Sequence, residues 1–117
     1  MNQNWLKFLG LAFSAGAVVS GEEIVVQGIR SKKVYLVIIA EDISKNTYKK
    51  VTDKSKSYNV KCIQRATSED IGHALGKSFR KVVGITDRNF AKALEKKIES
   101  ERWLDESSWI CKKIKPF

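Results

Sequence analysis

Apolar residues recur at helical spacing near the start of the chain, where Trp5, Leu6, Phe8, Leu9 and Phe13 share one side of a helix drawn from about Asn4 to Ala15. Ala17 to Val19 then predicts a short strand. In the following VVSGEEIVVQGI, Ser20 and Glu23 have the spacing of a capping box, Val19 and Ile24 that of a hydrophobic staple, and Glu22 and Glu23 sit in a first turn whose dipole favours acids. A helix from Gly21 to about Ser31 is expected. Gly28 inside it costs about 1 kcal/mol relative to a better helix former, which a close approach of helix to sheet would explain.

The unbroken, β-branched run VYLVIIA, Val34 to Ala40, has the pattern of a central strand covered on both faces. Asp42 or Ser44 can cap the basic helix that follows to about Ser57, with Tyr48 and Val51 turned inward. A strand at Val60 to Gln64 leads to TSEDIGHALG, a short helix capped by Thr67 and ended by Gly76 as a left-handed C-cap. Lys81 to Thr86 is a further strand. Asp87 caps a last helix through about Ser100, with Phe90, Ala91, Leu94 and Ile98 on one face. Strands alternating with helices at this spacing predict an α/β sandwich with a sheet between helical layers.

We expect residues 1–100 to form one domain and residues 101–117 a C-terminal extension. The extension carries Trp103, Trp109, Lys112, Lys113 and Lys115, and reads either as an appendage packed on the domain or as a stacking or partner-binding tail.

Charge adds the first functional hint. A formal net charge of +9 in 117 residues suits a polyanion binder. From Ser44 to Arg65 the bases Lys45, Lys49, Lys50, Lys54, Lys56, Lys61 and Arg65 face only Asp53, a solvated helix face or a binding surface.

The candidate chemistry is thin. Cys62 and Cys111 lie far apart without a CxxC, and His73 is the single histidine, so neither a disulfide framework nor a zinc site is indicated. IGHALGKS, Ile71 to Ser78, misses a phosphate-binding P-loop because Ile71 stands where the first glycine belongs and the glycines lie within and after a helix. No third group orients a nucleophile, and the pairs Glu22 with Glu23, Glu41 with Asp42 and Glu69 with Asp70 all fall at helix starts, where capping explains them. We therefore expect no enzyme and no cofactor. The segment from Trp5 to Ser20 is apolar and ends in small residues like a signal peptide, but Lys7 interrupts it and no basic segment precedes it. It is also too short to span a bilayer. A cytoplasmic protein without membrane contact is expected.

The order of the segments LVIIAED, NTYKKVTDKSKSYNV, IGHALGK and VVGITDRNFAKAL, within a match from about Trp5 to Glu99, resembles the bacterial YlxQ-type proteins of the ribosomal-protein superfamily whose archaeal member binds kink-turn RNA. The resemblance implies a three-layer α-β-α sandwich, here with a mixed sheet of about four strands, that binds structured RNA without catalysis; we expect a monomer associated with the ribosome or translation. It also implies two contact regions. A helix start with the pattern glycine, any residue, asparagine, glutamate, two residues, lysine reads tandem sheared G·A pairs, and here it falls on Gly21, Glu22, Glu23, Ile24 and Gln27. Gly21 matches; Glu23, Ile24 and Gln27 replace asparagine, glutamate and lysine.

The second region is the loop Lys77, Ser78, Phe79, Arg80 and Lys81, which would clamp a flipped nucleotide, with Ser44 lining its pocket. A carboxylate can accept from guanine imino and amino groups and Gln27 can donate to guanine acceptors, so GEEIVVQ still offers groups for base edges. Lys32, Lys33, Lys77, Arg80 and Lys81 are the expected phosphate contacts. The alternative reading is a protein-interaction module of the translation apparatus that uses the aromatic tail.

Overall fold

A computed structural model describes residues 4–105, with side chains through Glu99. The expectations for Trp103 as a contact residue, and for Trp109 and the terminal lysines, lie outside what is described. The elements run α1 (Asn4–Ser14), β1 (Val18–Ser20), α2 (Glu22–Arg30), β2 (Leu36–Ile39), α3 (Lys45–Ser57), β3 (Lys61–Gln64), α4 (Ser68–Ala74), β4 (Val82–Ile85) and α5 (Arg88–Asp105). The alternation read from the sequence is present, and α5 continues five residues beyond its expected end at Ser100.

The four strands form one sheet in the order β1-β4-β2-β3. β2 pairs with β3 in parallel and with β4 antiparallel, and β4 pairs with β1 antiparallel. β2 is therefore interior, and all four of its residues are buried, as an apolar run without alternation requires. On one face Trp5, Leu9, Ile71, Leu94 and Ile98 pack from α1, α4 and α5 onto Leu36, Ile38, Val83 and Ile85. On the other, Val25, Val26 and Ile29 of α2 and Val51 of α3 pack onto Val37, Ile39 and Val82. The result is a three-layer α-β-α sandwich with a mixed sheet. Among the described residues, no helix is long and apolar enough to cross a membrane.

Strand direction sets which loops meet. β1, β2 and β3 all run toward the end of the sheet where β4 begins, because Ser20 pairs with Val83, Ile39 with Val82, and Gln64 with Ile39. The starts of α2, α3 and α4 consequently gather at that end, which we call the upper end. The α2–β2, α3–β3 and β4–α5 connections gather at the lower end.

Several local expectations are corrected. Ser20 does not cap α2: it belongs to β1, and Gly21 takes the N-cap position at φ 111° with no side-chain cap. That φ lies where a side chain is strained, so glycine is required where strand turns directly into helix. Without Ser20 at the cap there is no capping box. The staple is absent too, since Ile24 is 58% exposed while Val19 joins the apolar layer under α2 and α3.

Between the two candidate caps of α3, Ser44 is used: its Oγ accepts from the Thr47 amide at 3.3 Å. Tyr48 is 41% exposed, because Val51 and Ser55 define the inward face. Thr67 caps α4 by accepting from the Asp70 amide, Gly76 ends it at φ 72°, and Asp87 Oδ1 accepts from the amides of Asn89 and Phe90, as expected. A Cβ on Gly28 would lie 2.5 Å from Val34 Cγ2, so the close neighbour is the chain entering β2.

Candidate RNA-binding site

At the upper end the turn into α2 and the α4–β4 loop face one another across an open hollow of about 530 Å³. Ser20, Gly21 and Glu22 line one side, Phe79, Arg80, Lys81 and Val82 the other, and Thr47 the floor toward α3. Phe79 is 63% exposed, an apolar ring held in solvent beside two cations. The first amides of α2 point to this end without a side-chain cap, and such donors take an acceptor from a ligand or from water.

Glu22 turns sideways. Its carboxylate meets Lys50 Nζ at 2.9 Å and accepts from Thr47 Oγ1 at 3.2 Å, while Thr47 Oγ1 in turn accepts from Ser44 Oγ at 3.1 Å. The Lys50 hydrogen bond, with a smaller contribution from Thr47, holds the Glu22 carboxyl below its usual range, against the raising effect of partial burial. The chain Ser44–Thr47–Glu22–Lys50 thus ties the start of α2 to the start of α3. Both partners of the ion pair are partly solvated, so Glu22→Gln should cost less than about 1 kcal/mol of stability; a larger loss in a urea titration would contradict this.

The loop from Lys77 to Lys81 has its own supports. The Lys77 amide donates to the Gly72 carbonyl at 2.8 Å, the Arg80 amide to the Ser68 carbonyl at 3.0 Å, and the Ala40 amide to the Lys81 carbonyl at 2.8 Å. Gly72 has the Ser78 carbonyl directly against it, closer than any side chain permits. Ser68 is itself gripped by Asp42, whose carboxylate accepts from its amide at 2.8 Å and its hydroxyl at 2.6 Å. Asp42 therefore secures α4 rather than capping α3.

These two hydrogen bonds, the hydroxyl's first, hold the Asp42 carboxyl below its ordinary value. A depressed carboxyl stabilises the fold above the unfolded-state pKa of about 4 and loses that contribution as pH falls through the folded value. Wild type should accordingly lose stability below about pH 4 more steeply than Asp42→Ala does; parallel acid titrations of the two would overturn the assignment.

The remaining expected contacts are placed as follows. Glu23 and Gln27, four residues apart, are exposed along the outer face of α2. Lys77 Nζ stands 5.8 Å from the centre of the Phe13 ring, toward α1, and Ser78 is exposed. Lys32 and Lys33 follow the last turn of α2 at the lower end, so the structure does not bring them to the hollow. Sequence reasoning missed Thr47, Lys50 and Ser68, whose roles depend on pairing between distant segments. Gly72 did carry a signal, since a glycine inside a short helix is unfavourable unless another chain approaches closely.

Catalytic chemistry finds little support among the described residues. Burial pushes the Cys62 thiol up to about 11, which leaves it protonated and unreactive at neutral pH. No group of three or more His, Cys, Asp or Glu residues could hold a metal ion among the described residues.

A mixed four-stranded sheet between helical layers, with helix starts and the Lys77 to Lys81 loop gathered at one end, defines a class of α-β-α sandwich proteins, and comparison with known proteins specifies the member. Residues 3–95 match the ribosomal protein L7Ae/L30e/S12e/Gadd45 family, and the chain belongs to it. It is similar to the RNA-binding protein YlxQ of Enterococcus faecium, 42% identical over 83% of this chain and 93% of that one. The RNA-binding protein YlxQ of Bacillus subtilis is 44% identical over 77% of this chain and 90% of that one. These relatives make the chain a YlxQ-type member. A protein of unknown function from Bacillus halodurans superposes with TM-score 0.81 at 36% identity, over 84% of this chain and 99% of that one. A Giardia lamblia 15.5kD RNA binding protein shares the fold, with TM-score 0.72 at 19% identity over 86% and 92%.

Proposed function

We propose that this chain is a non-catalytic, cytoplasmic RNA-binding protein that works as a monomer in ribosome- or translation-associated complexes and recognises a kink-turn or related bent duplex. The observation that carries this reading is the hollow between Gly21 and Glu22 on one side and Phe79, Arg80 and Lys81 on the other. An exposed ring beside cations suits an unstacked base and its phosphates. The uncapped α2 amides and the outward Glu23 and Gln27 suit base edges: amides and Gln27 donate to acceptors, and Glu23 accepts from guanine. Two glutamates at the tip disfavour a phosphate there. Glu22, occupied by Lys50 and Thr47, shapes the tip and is the less available of the two for a base.

The names of the YlxQ relatives support RNA as the ligand class. For kink-turn selectivity, the protein is titrated with a kink-turn RNA and with the same RNA carrying Watson–Crick pairs in place of its G·A pairs. The second should bind about tenfold or more weakly, the discrimination one good base contact supplies. Equal affinity for both would sink kink-turn recognition. Arg80→Ala should flatten the dependence of log affinity on log salt by about 0.7–0.9, one phosphate contact's share; an unchanged slope removes Arg80 from the phosphates.

A further inference from the structure

The charge excess is distributed unevenly between the two ends of the sheet. The acids Glu22, Glu23, Glu69 and Asp70 sit in the first turns of α2 and α4, and Glu41 and Asp42 in the connection that leads from β2 to α3, so the upper end offsets its own cations. At the lower end a group of cations stands around the α2–β2 and β4–α5 connections. Arg30, Lys32 and Lys33 close α2 and lead into β2, all exposed, and Arg88 begins α5. Asp87, next to Arg88 in sequence, has its carboxylate engaged with the amides that open α5. Among the described residues, none of these four cations meets a carboxylate within ion-pairing distance.

An aromatic ring lies among them. Tyr35 is 41% exposed, and the Arg88 guanidinium stands 5.5 Å from its ring centre. The Tyr35 amide donates to the Ile85 carbonyl at 2.8 Å, so the ring is carried on backbone paired into the sheet. Lys56 and the 39%-exposed Tyr58 stand at the same end of the sheet, where α3 closes.

The backbone at Lys32 fixes where that side chain leaves the turn, as it does for Asn59 after α3. The Lys32 amide donates to the Ile29 carbonyl at 3.1 Å and the Lys33 amide to the Gly28 carbonyl at 2.8 Å, which is the closing pattern of a Schellman motif. In that motif the left-handed position favours glycine, yet Lys32 occupies it at φ 60°. The fold accepts a strained lysine where glycine would serve its geometry better.

We infer that the lower end, built from Arg30, Lys32, Lys33, Tyr35 and Arg88, is a second RNA site that takes a single-stranded segment, with the cations on its phosphates and a base against Tyr35. Sequence-tolerant single-strand recognition needs this combination of a cationic track and an aromatic face. The site lies beyond the proposed kink-turn function and does not require it. An RNA held at both ends would run along the flank of the domain.

The test uses the full chain and a labelled ten-nucleotide single-stranded RNA of mixed sequence. Lys32→Ala combined with Lys33→Ala should weaken binding about tenfold and flatten the salt slope by about 1.4, the share of two single-strand phosphate contacts. Tyr35→Ala should weaken it about fivefold or more, the effect of losing one stacked base. Lys32→Gly should weaken binding with no loss of thermal midpoint, which separates RNA contact from folding. Kink-turn affinity should stay within about twofold in all three variants, whereas Arg80→Ala should leave the single strand unaffected.

The proposal is overturned if wild type fails to bind the single strand or if the lysine pair can be removed without effect. It is also overturned if Arg80→Ala abolishes single-strand binding, or if a polyglutamate of equal charge competes as well as the RNA, which would make the surface a docking site for acidic protein. Failure of kink-turn selectivity with single-strand binding intact would strike the proposed function alone.

Discussion

Replacing Gly72 by alanine should destabilise the protein by about 2 kcal/mol even though alanine is the better helix former. Helix propensity alone would favour the change by about 1 kcal/mol. The new Cβ, however, would overlap the Ser78 carbonyl and crowd Phe79 Cα, both backbone, which cannot rotate away. Overpacking of that kind costs about 3 kcal/mol. The loop from Lys77 to Lys81 must then shift, so affinity for structured RNA should fall with stability, while Ser78→Ala, at an exposed side chain, should leave stability unchanged. Urea midpoints for the two variants check it: an alanine at position 72 as stable as wild type would mean that the loop does not rest on α4 as described.

Trp5→Ala should have a larger effect, about 4 kcal/mol, the usual cost of emptying a large buried aromatic site. Trp5 has no exposed surface and belongs to the layer shared by α1, α4 and α5. Backbone contact limits collapse around the cavity, since a Cβ on Gly10 would already lie 2.7 Å from the Ala74 carbonyl oxygen. With α1 loosened, α4 loses its outer support, and the Lys77 to Lys81 loop loses the platform on which it is folded. A midpoint shift equivalent to less than about 1 kcal/mol would show that α1 contributes little to that platform.

Features fixed by short-range pattern were legible in the chain. The run from Val34 to Ala40 announced an interior strand, the spacing of Trp5, Leu9 and Phe13 announced α1, and Thr67 and Asp87 capped the helices they precede. The order of strands and helices was enough for the α-β-α architecture. Features decided by pairing between distant segments were not legible. Ser20 and Glu23 have the spacing of a capping box, but the pairing of Ser20 with Val83 extends β1 to the very edge of the helix and leaves Gly21 to make the turn. Asp42 has the position of a cap for α3, but Ser68 comes close enough to take both its oxygens.

The site divides in the same way. The composition of GEEIVVQ and of the Lys77 to Lys81 loop was visible, yet the cross-helix capture of Glu22 by Lys50 depends on the packing of α2 against α3. Lys32 is five residues from Gln27 in sequence, and nothing in that spacing reveals that the α2–β2 turn faces away from the hollow. A nine-residue helix spans about 13 Å, about the length of the four-residue strand beneath it, enough to carry a cation from one end of the sheet to the other.

The outer strand β3 pairs on one side alone, a geometry that invites further strands to add. Lys61, at its first position, lies 2.8 Å from Glu95 and 3.4 Å from Glu99 on α5. A foreign strand aligning there would have to insert its own side chains beside one ammonium and two carboxylates, all partly solvated. This knot of charge guards the open edge against sheet growth, so copies of the domain can lie side by side without fusing into a continuous sheet.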